Sequence, residues 1–327
     1  MSTFGLLDGA AVLRKIVRIT ALTATAALLA SCGGGTQLEP FQAQRVLAFG
    51  DENSVITSGG LKYTVNALDA SNSAVECASN PIWVQQVASA FGLVFPQCNP
   101  TNVSAPRSRI YAAPGAKVAD LTAQVNAHLA GDSFSGKDLA TIMVGRNDVL
   151  AIYAQYPAIS VDQAKAAAEA AGAALAVQVN RIANAGGKVL LAKVLDLGKT
   201  PFGLKEKAAH TGVDRAALLT TLSERFNAKL RVDIMNDGRR IGLVQSDERI
   251  QAAISFPNEF GLTNVKDAAC LSTVTMPNCT TATLGTDSTG NAANANTWLW
   301  ADNLNLSAAG HFRVGEIAAS VARNNPF

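Results

Sequence analysis

Histidine is scarce in this chain. There are three, His128, His210 and His311, in 327 residues. None stands at a metal-type spacing from a cysteine, which argues against a zinc site, and no motif calls for a metal or another cofactor. Net charge is also nearly absent. The formal charge is +2, but an N-terminal leader carries Arg14, Lys15, Arg18 and Asp8. Without it, 24 basic residues face 24 acidic ones. A neutral chain offers no electrostatic footprint for nucleic acid, so the pI of 8.3 carries no such meaning. A run long enough to span a bilayer is missing too, since the apolar stretch from Ile19 to Ala30 is too short. No linker interrupts the middle of the chain, and no repeat recurs. The 296 residues after the leader therefore suit one large α/β domain.

The leader itself is informative. A basic segment precedes the apolar stretch, and Leu29-Ala30-Ser31-Cys32 then has the form of a bacterial lipobox. Met1 to Val12, which contains Asp8, is a preface outside the usual layout of such a signal. The expected division is a lipoprotein signal over residues 1–31, a lipidated tether over 32–44 and a domain over 45–327. Cys32 would carry the lipid and so tie the protein to a membrane. Gly33 follows it, with no aspartate to suggest inner-membrane retention, which favours the outer membrane.

Four cysteines remain, Cys77, Cys98, Cys270 and Cys279. An even count in an exported chain reads as two disulfides. Three pairings are possible. Cys77–Cys98 with Cys270–Cys279 is the local choice, each bond stapling one loop.

Four apolar segments read as buried strands: Val46–Phe49, Leu139–Val144, Val189–Leu195 and Ile241–Val244. Runs apolar at nearly every position suit a parallel sheet covered on both faces. Helical patterns lie between them, over Trp83–Phe91, Ser160–Ala185, Asp214–Asn236 and about Ser307–Arg323. Ser160 and Gln163 form a capping box, and Gly186-Gly187 ends that helix. Residues 278–297, rich in Thr, Asn, Ala and Gly, read as a surface loop. The alternation predicts a three-layer α/β/α sandwich with a central, mainly parallel sheet. Ligands of such sheets bind beyond the carboxyl ends of the strands, where Gly50-Asp51-Glu52 and Gly145-Arg146-Asn147-Asp148 both fall.

Four segments together resemble the GDSL (SGNH) hydrolases, lipases and esterases that cleave acyl or acetyl esters. Phe49-Gly50-Asp51-Glu52 is similar to the opening Phe-Gly-Asp-Ser motif. Ala113 to Leu121 is similar to the segment whose glycine, here Gly115, gives a backbone N–H to the oxyanion hole. Gly145-Arg146-Asn147-Asp148 matches Gly-x-Asn-Asp, whose asparagine, here Asn147, completes that hole. Asp302-Asn303-Leu304-Asn305 occupies the Asp-x-x-His position that normally supplies acid and base. Phe256 to Asn264, followed by Cys270, also resembles a segment of secreted members.

The departures from this resemblance fall on the reacting groups. Glu52 stands at the nucleophile position and Asn305 at the base position, while Asp302, the acid position, remains. Asparagine cannot take and return a proton near neutral pH. A standard serine trap is therefore not expected, and a binding or structural pseudoenzyme is, with an acyl or acetylated-glycan ligand. The alternative is an ester hydrolase with altered machinery. Glu52 could serve as general base on water, alone or in a carboxylate pair of the glycosidase kind, or Ser54 and His311 could replace the lost pair. Lys117 and Arg146 read as solvated charges near the mouth. One structural expectation is sharp: Glu52 should fold into its own oxyanion hole, bonded to Asn147 or to the N–H of Gly115, with Asn305 donating a further bond.

Overall fold

The computed structural model describes residues 40–327; the leader, Cys32 and the tether up to Glu39 lie outside the described residues. Five strands form the central sheet: β1 (Arg45–Gly50), β2 (Arg109–Ile110), β3 (Asp138–Met143), β4 (Lys188–Ala192) and β5 (Ile241–Val244). Their order is β2-β1-β3-β4-β5, and every pairing is parallel. Eight helices are described: α1 (Trp83–Ser89), α2 (Val118–Gly131), α3 (Arg146–Tyr153), α4 (Val161–Asn184), α5 (Pro201–Ala209), α6 (Arg215–Asp233), α7 (Ser246–Ser255) and α8 (Ala308–Asn324).

The period of two along each strand builds the layers. Val46, Ala48, Leu139, Leu190 and Val244 face a core shared with α1, α7 and α8. Leu47, Phe49, Ala140, Ile142 and Leu191 face the other core, with α2, α3, α4 and α6. The result is the α/β/α sandwich, and it explains why these strands are apolar at nearly every interior position. Asp138, at the start of β3, is buried because Arg45 grips both its oxygens, at 2.6 and 2.7 Å. The capping box of α4 is present, with Gln163 N donating to Ser160 Oγ at 3.2 Å and Ser160 N to Gln163 Oε1 at 2.8 Å.

Three boundaries differ from the sequence reading. The tether does not run to residue 44, because Phe41 and Ala43 are buried in the domain and Phe41 packs edge-on against Phe91 and Phe327. The strand expected over Val189–Leu195 stops at Ala192; Lys193 then turns to pair with Asp247 at 2.9 Å and Glu248 at 3.1 Å. Residues 278–297 are not wholly superficial, since Cys279, Ala293 and Ala295 enter a third small core around Trp298. That core is roofed by a two-stranded parallel sheet, β6 (Asn264–Ala268) and β7 (Trp298–Trp300), too short to show in the sequence pattern. Two disulfides, Cys77–Cys98 and Cys270–Cys279, close the local loops.

Candidate active site and its ion-pair network

Four connections meet beyond the carboxyl end of the main sheet. The chain leaves β1 through Gly50, at φ +117°, where a Cβ would lie 2.0 Å from the Met143 carbonyl oxygen. Only glycine allows that crossing, and it lets β1 turn into a single 3-10 turn over Glu52–Ser54. Asp51 caps this turn. Its Oδ1 accepts from Asn53 N at 3.0 Å and Asn53 Nδ2 at 2.8 Å, while Oδ2 has no partner among the described residues. After β3, Gly145 begins α3 at φ +121°, and a Cβ there would strike the Phe226 ring at 2.4 Å. That tight entry aims Arg146 and Asn147 back at β1.

Glu52 lies at the centre, its side chain 12% exposed. Its Oε2 accepts from the Gly115 backbone N–H at 3.0 Å and from Asn147 Nδ2 at 3.0 Å. Its Oε1 is ion-paired to Arg146 Nη2. Arg146 is itself buried, 6% exposed, and its Nη1 donates to Asn305 Oδ1 at 3.0 Å and to the Leu304 carbonyl at 2.9 Å. The Asn305 amide then donates from Nδ2 to Asp302 Oδ2 at 2.8 Å. Asp302 Oδ1 accepts from the backbone N–H of Leu304 at 2.8 Å and of Asn305 at 2.6 Å. The chain of bonds runs from Asp302 through Asn305 and Arg146 to Glu52. Asn305 suits its place because an amide donates at one end and accepts at the other.

Electrostatics follow the geometry. Burial pushes the Glu52 carboxyl up, but Arg146 and the donors from Asn147 and Gly115 outweigh it and hold its pKa below the ordinary value. Burial likewise opposes the Arg146 charge, and Glu52 and Asp51 overcome it. Asp51 has no such compensation at Oδ2. Burial lifts it to about 6, with Arg146 pulling down and Glu52 adding to the rise.

Glu52, Gly115, Asn147, Asp302 and Asn305 all fall in this one cluster. Arg146 is a correction: it is no solvated charge but the hub, whereas Lys117 is exposed. A second correction concerns Asn305, which bonds Arg146 and Asp302, not Glu52. Asn147 and Asp148 do not cap α3, whose cap is Gly145; Asp148 instead accepts from Val118 N at the start of α2, at 3.0 Å. Ser54 and His311 do not join the cluster. Ser54 is fully buried and its Oγ accepts from the Trp83 indole N–H at 3.2 Å. His311 is fully buried, neither ring nitrogen has a partner among the described residues, and burial with nearby Lys62 depresses its pKa to about 3. Tyr63 was missed by the sequence reading. It stands near enough that, after burial, the Glu52 charge raises its hydroxyl pKa.

The GDSL-like lipase/acylhydrolase family model matches residues 46–317. The chain belongs to this family. GDSL-family order thus spans all four connections of the cluster. Among solved structures, the chain is similar to a mutant of an acetyl-xylooligosaccharide esterase from Geobacillus stearothermophilus, at 13% identity and TM-score 0.46, over 86% of this chain and 95% of that one. It is also similar to a member of the lipolytic protein G-D-S-L family from Veillonella parvula, at 11% identity and TM-score 0.42, over 85% of this chain and 97% of that one. No curated protein matches the chain.

Proposed function

We propose that this GDSL-family chain has lost serine-ester chemistry and serves as a binding or structural pseudoenzyme of the cell envelope, held to the outer membrane by a lipid on Cys32. One observation carries the reading. The carboxylate of Glu52 accepts from both Gly115 N–H and Asn147 Nδ2, the two donors that the family aims at a developing oxyanion. A stable anion thus occupies the place where a transient one would be stabilised. Arg146 locks it there, and charge-assisted bonds of this kind are about twice as strong as neutral ones. An incoming ester would have to displace a paired carboxylate before its carbonyl could reach those donors.

The altered-machinery reading finds less support. A general base needs a free carboxylate near its operating pKa, and Glu52 is paired and depressed. Ser54 lies out of solvent reach beneath Trp83. Fluorophosphonate labelling and hydrolysis of short acyl nitrophenyl esters test the proposal together. No label and no rate above buffer are expected, and Asp302→Ala should change neither. A serine labelled stoichiometrically, or a rate lost on Glu52→Gln, would overturn it. Metabolic palmitate labelling lost on Cys32→Ser tests the anchor separately.

A further inference from the structure

Away from the Glu52 cluster, α1, the segment that follows it and α8 together line a groove of about 660 Å3. That volume falls in the range of roughly 300–1,000 Å3 typical of small-molecule sites. The α8 wall is one helix face, running from Phe312 through Gly315, Glu316 and Ala319 to Arg323. Eleven residues of rise make this wall about 16 Å long. Its ends differ. Phe312 stands at one end with 49% of its surface exposed, although it is a large apolar ring. Arg323 stands at the other, exposed, and its guanidinium has no ion-pair or hydrogen-bond partner among the described residues.

The polar groups between the two ends are largely in use. Glu316 is paired with Arg249 at 2.5 Å. Gln85 Nε2 donates to the Cys77 carbonyl at 3.1 Å, and Gln86 Nε2 to the His311 carbonyl at 3.0 Å. A sugar needs many free donors and acceptors, which this wall does not offer. Ala88, Val94, Phe95 and Ala319 supply an apolar floor instead. An apolar floor with one unpaired cation at its end fits an amphiphile with a single anionic head.

We propose that the α1–α8 groove binds a long-chain carboxylate, its alkyl chain along the floor toward Phe312 and its head on Arg323. A wall of that length takes roughly a dozen methylenes in an extended chain, at about 1.3 Å each for ordinary C–C bonds. The C-terminal dipole of α8 opposes an anion at Arg323, and a direct forked guanidinium–carboxylate pair outweighs it. The site is separate from the Glu52 cluster and stands whether or not that cluster is inert.

Calorimetric titration of the full-length chain with dodecanoate, kept below its micelle concentration, tests the site. Saturable one-to-one binding is expected. Arg323→Glu should weaken it at least about tenfold, and Ser89→Trp, which fills the groove from an exposed position, should abolish it. Both changes are at the surface, so unchanged melting without ligand checks that the variants are folded. A crystal soaked with 12-bromododecanoate should place the bromine near Phe312. Failure of dodecanoate to saturate, equal binding by both variants, or bromine at the Arg323 end would each overturn the proposal. Binding of a neutral xylo-oligosaccharide that Ser89→Trp blocks and Arg323→Glu leaves intact would make the groove a sugar site instead.

Discussion

Arg146 and Lys62 are both buried cations, and they are held in opposite ways. Arg146 is surrounded by carboxylates: Glu52 in direct contact, with Asp51 and Asp302 near enough to favour its charge. Lys62 is fully buried with no carboxylate partner among the described residues, and its Nζ donates to three backbone carbonyls, of Cys77 at 2.9 Å, Ser79 at 2.7 Å and Asn80 at 3.0 Å. Lys62 thus organises the loop stapled by Cys77–Cys98, as a tethered cation in a cage of dipoles. Arg146 organises the cluster around Glu52. Carbonyl dipoles hold a cation locally and ask nothing of distant residues. Carboxylates bring their own charge, so Arg146 ties together residues 52, 146, 302 and 305, from three separate connections. His311 feels both cations, which is one reason it stays neutral.

The largest expected effect comes from removing the hub. Arg146→Ala leaves Glu52 and Asp51 buried without a cation, and breaking one partner of a buried pair typically costs about 3–5 kcal/mol. Urea denaturation at pH 7 should show a loss of that size. Arg146→Met with Glu52→Gln removes both charges together and should recover most of it. A double variant as unstable as Arg146→Ala would mean that packing, not charge, holds this site.

Arg146 also changes what a restoration must contain. Glu52→Ser with Asn305→His installs a nucleophile and a base at those positions, but leaves Arg146 buried beside the new imidazole. That cation disfavours a protonated histidine, which acyl transfer requires as its general acid. Adding Arg146→Ser removes the conflict. The triple variant should exceed the double by at least about tenfold in nitrophenyl acetate hydrolysis, a difference of about 1.4 kcal/mol in barrier. Equal activity of the two would show that Arg146 is a bystander.

Much of this arrangement was legible in the chain. Strand-length apolar runs such as Leu139–Val144 announce a doubly covered sheet, and Gly50 and Gly145 mark its functional turns. Glu52 and Asn305 stand out because they break a pattern. Arg146 was not read correctly, because an isolated arginine in a turn is usually solvated. The available signal was joint: an acid at 52 and a base at 146 appear in two motifs that meet in space. Lys62 and β6–β7 carry no signal of any length, since a cage of carbonyls and a three-residue strand depend on tertiary contacts alone.

A smaller effect separates the two cations by pH. Burial lowers the Lys62 pKa from 10.5 to about 8, so the unfolded chain binds more protons between those values. Stability should therefore rise with pH from about 8 toward 10.5, and Lys62→Met should flatten that limb of the curve. The Arg146 cluster acts at the other end. Glu52 has a depressed folded pKa, so its contribution is present above the unfolded value near 4.5 and is lost as pH falls through the folded one. Glu52→Gln should flatten the acid limb and leave the alkaline limb unchanged. A change in both limbs from either variant would merge the two sites into one.

The smallest effect belongs to Asp51, the acid that Arg146 leaves unsatisfied. Its folded pKa of about 6 stands above the ordinary 3.8, the reverse of Glu52. The folded protein keeps this proton while the unfolded chain gives it up, so stability falls as pH rises from about 4 to 6 and stays lower beyond. Asp51→Asn keeps the acceptor that Asn53 N uses and presents a neutral group at all pH values. The variant should lose the slope between pH 4 and 6 and be more stable than wild type at pH 8. Melting curves across pH 4–8 read both features. If Asp51→Asn is instead less stable at pH 8, Asp51 is ionised and bonded to Arg146 in the folded protein, and the arginine serves two carboxylates equally, not Glu52 first.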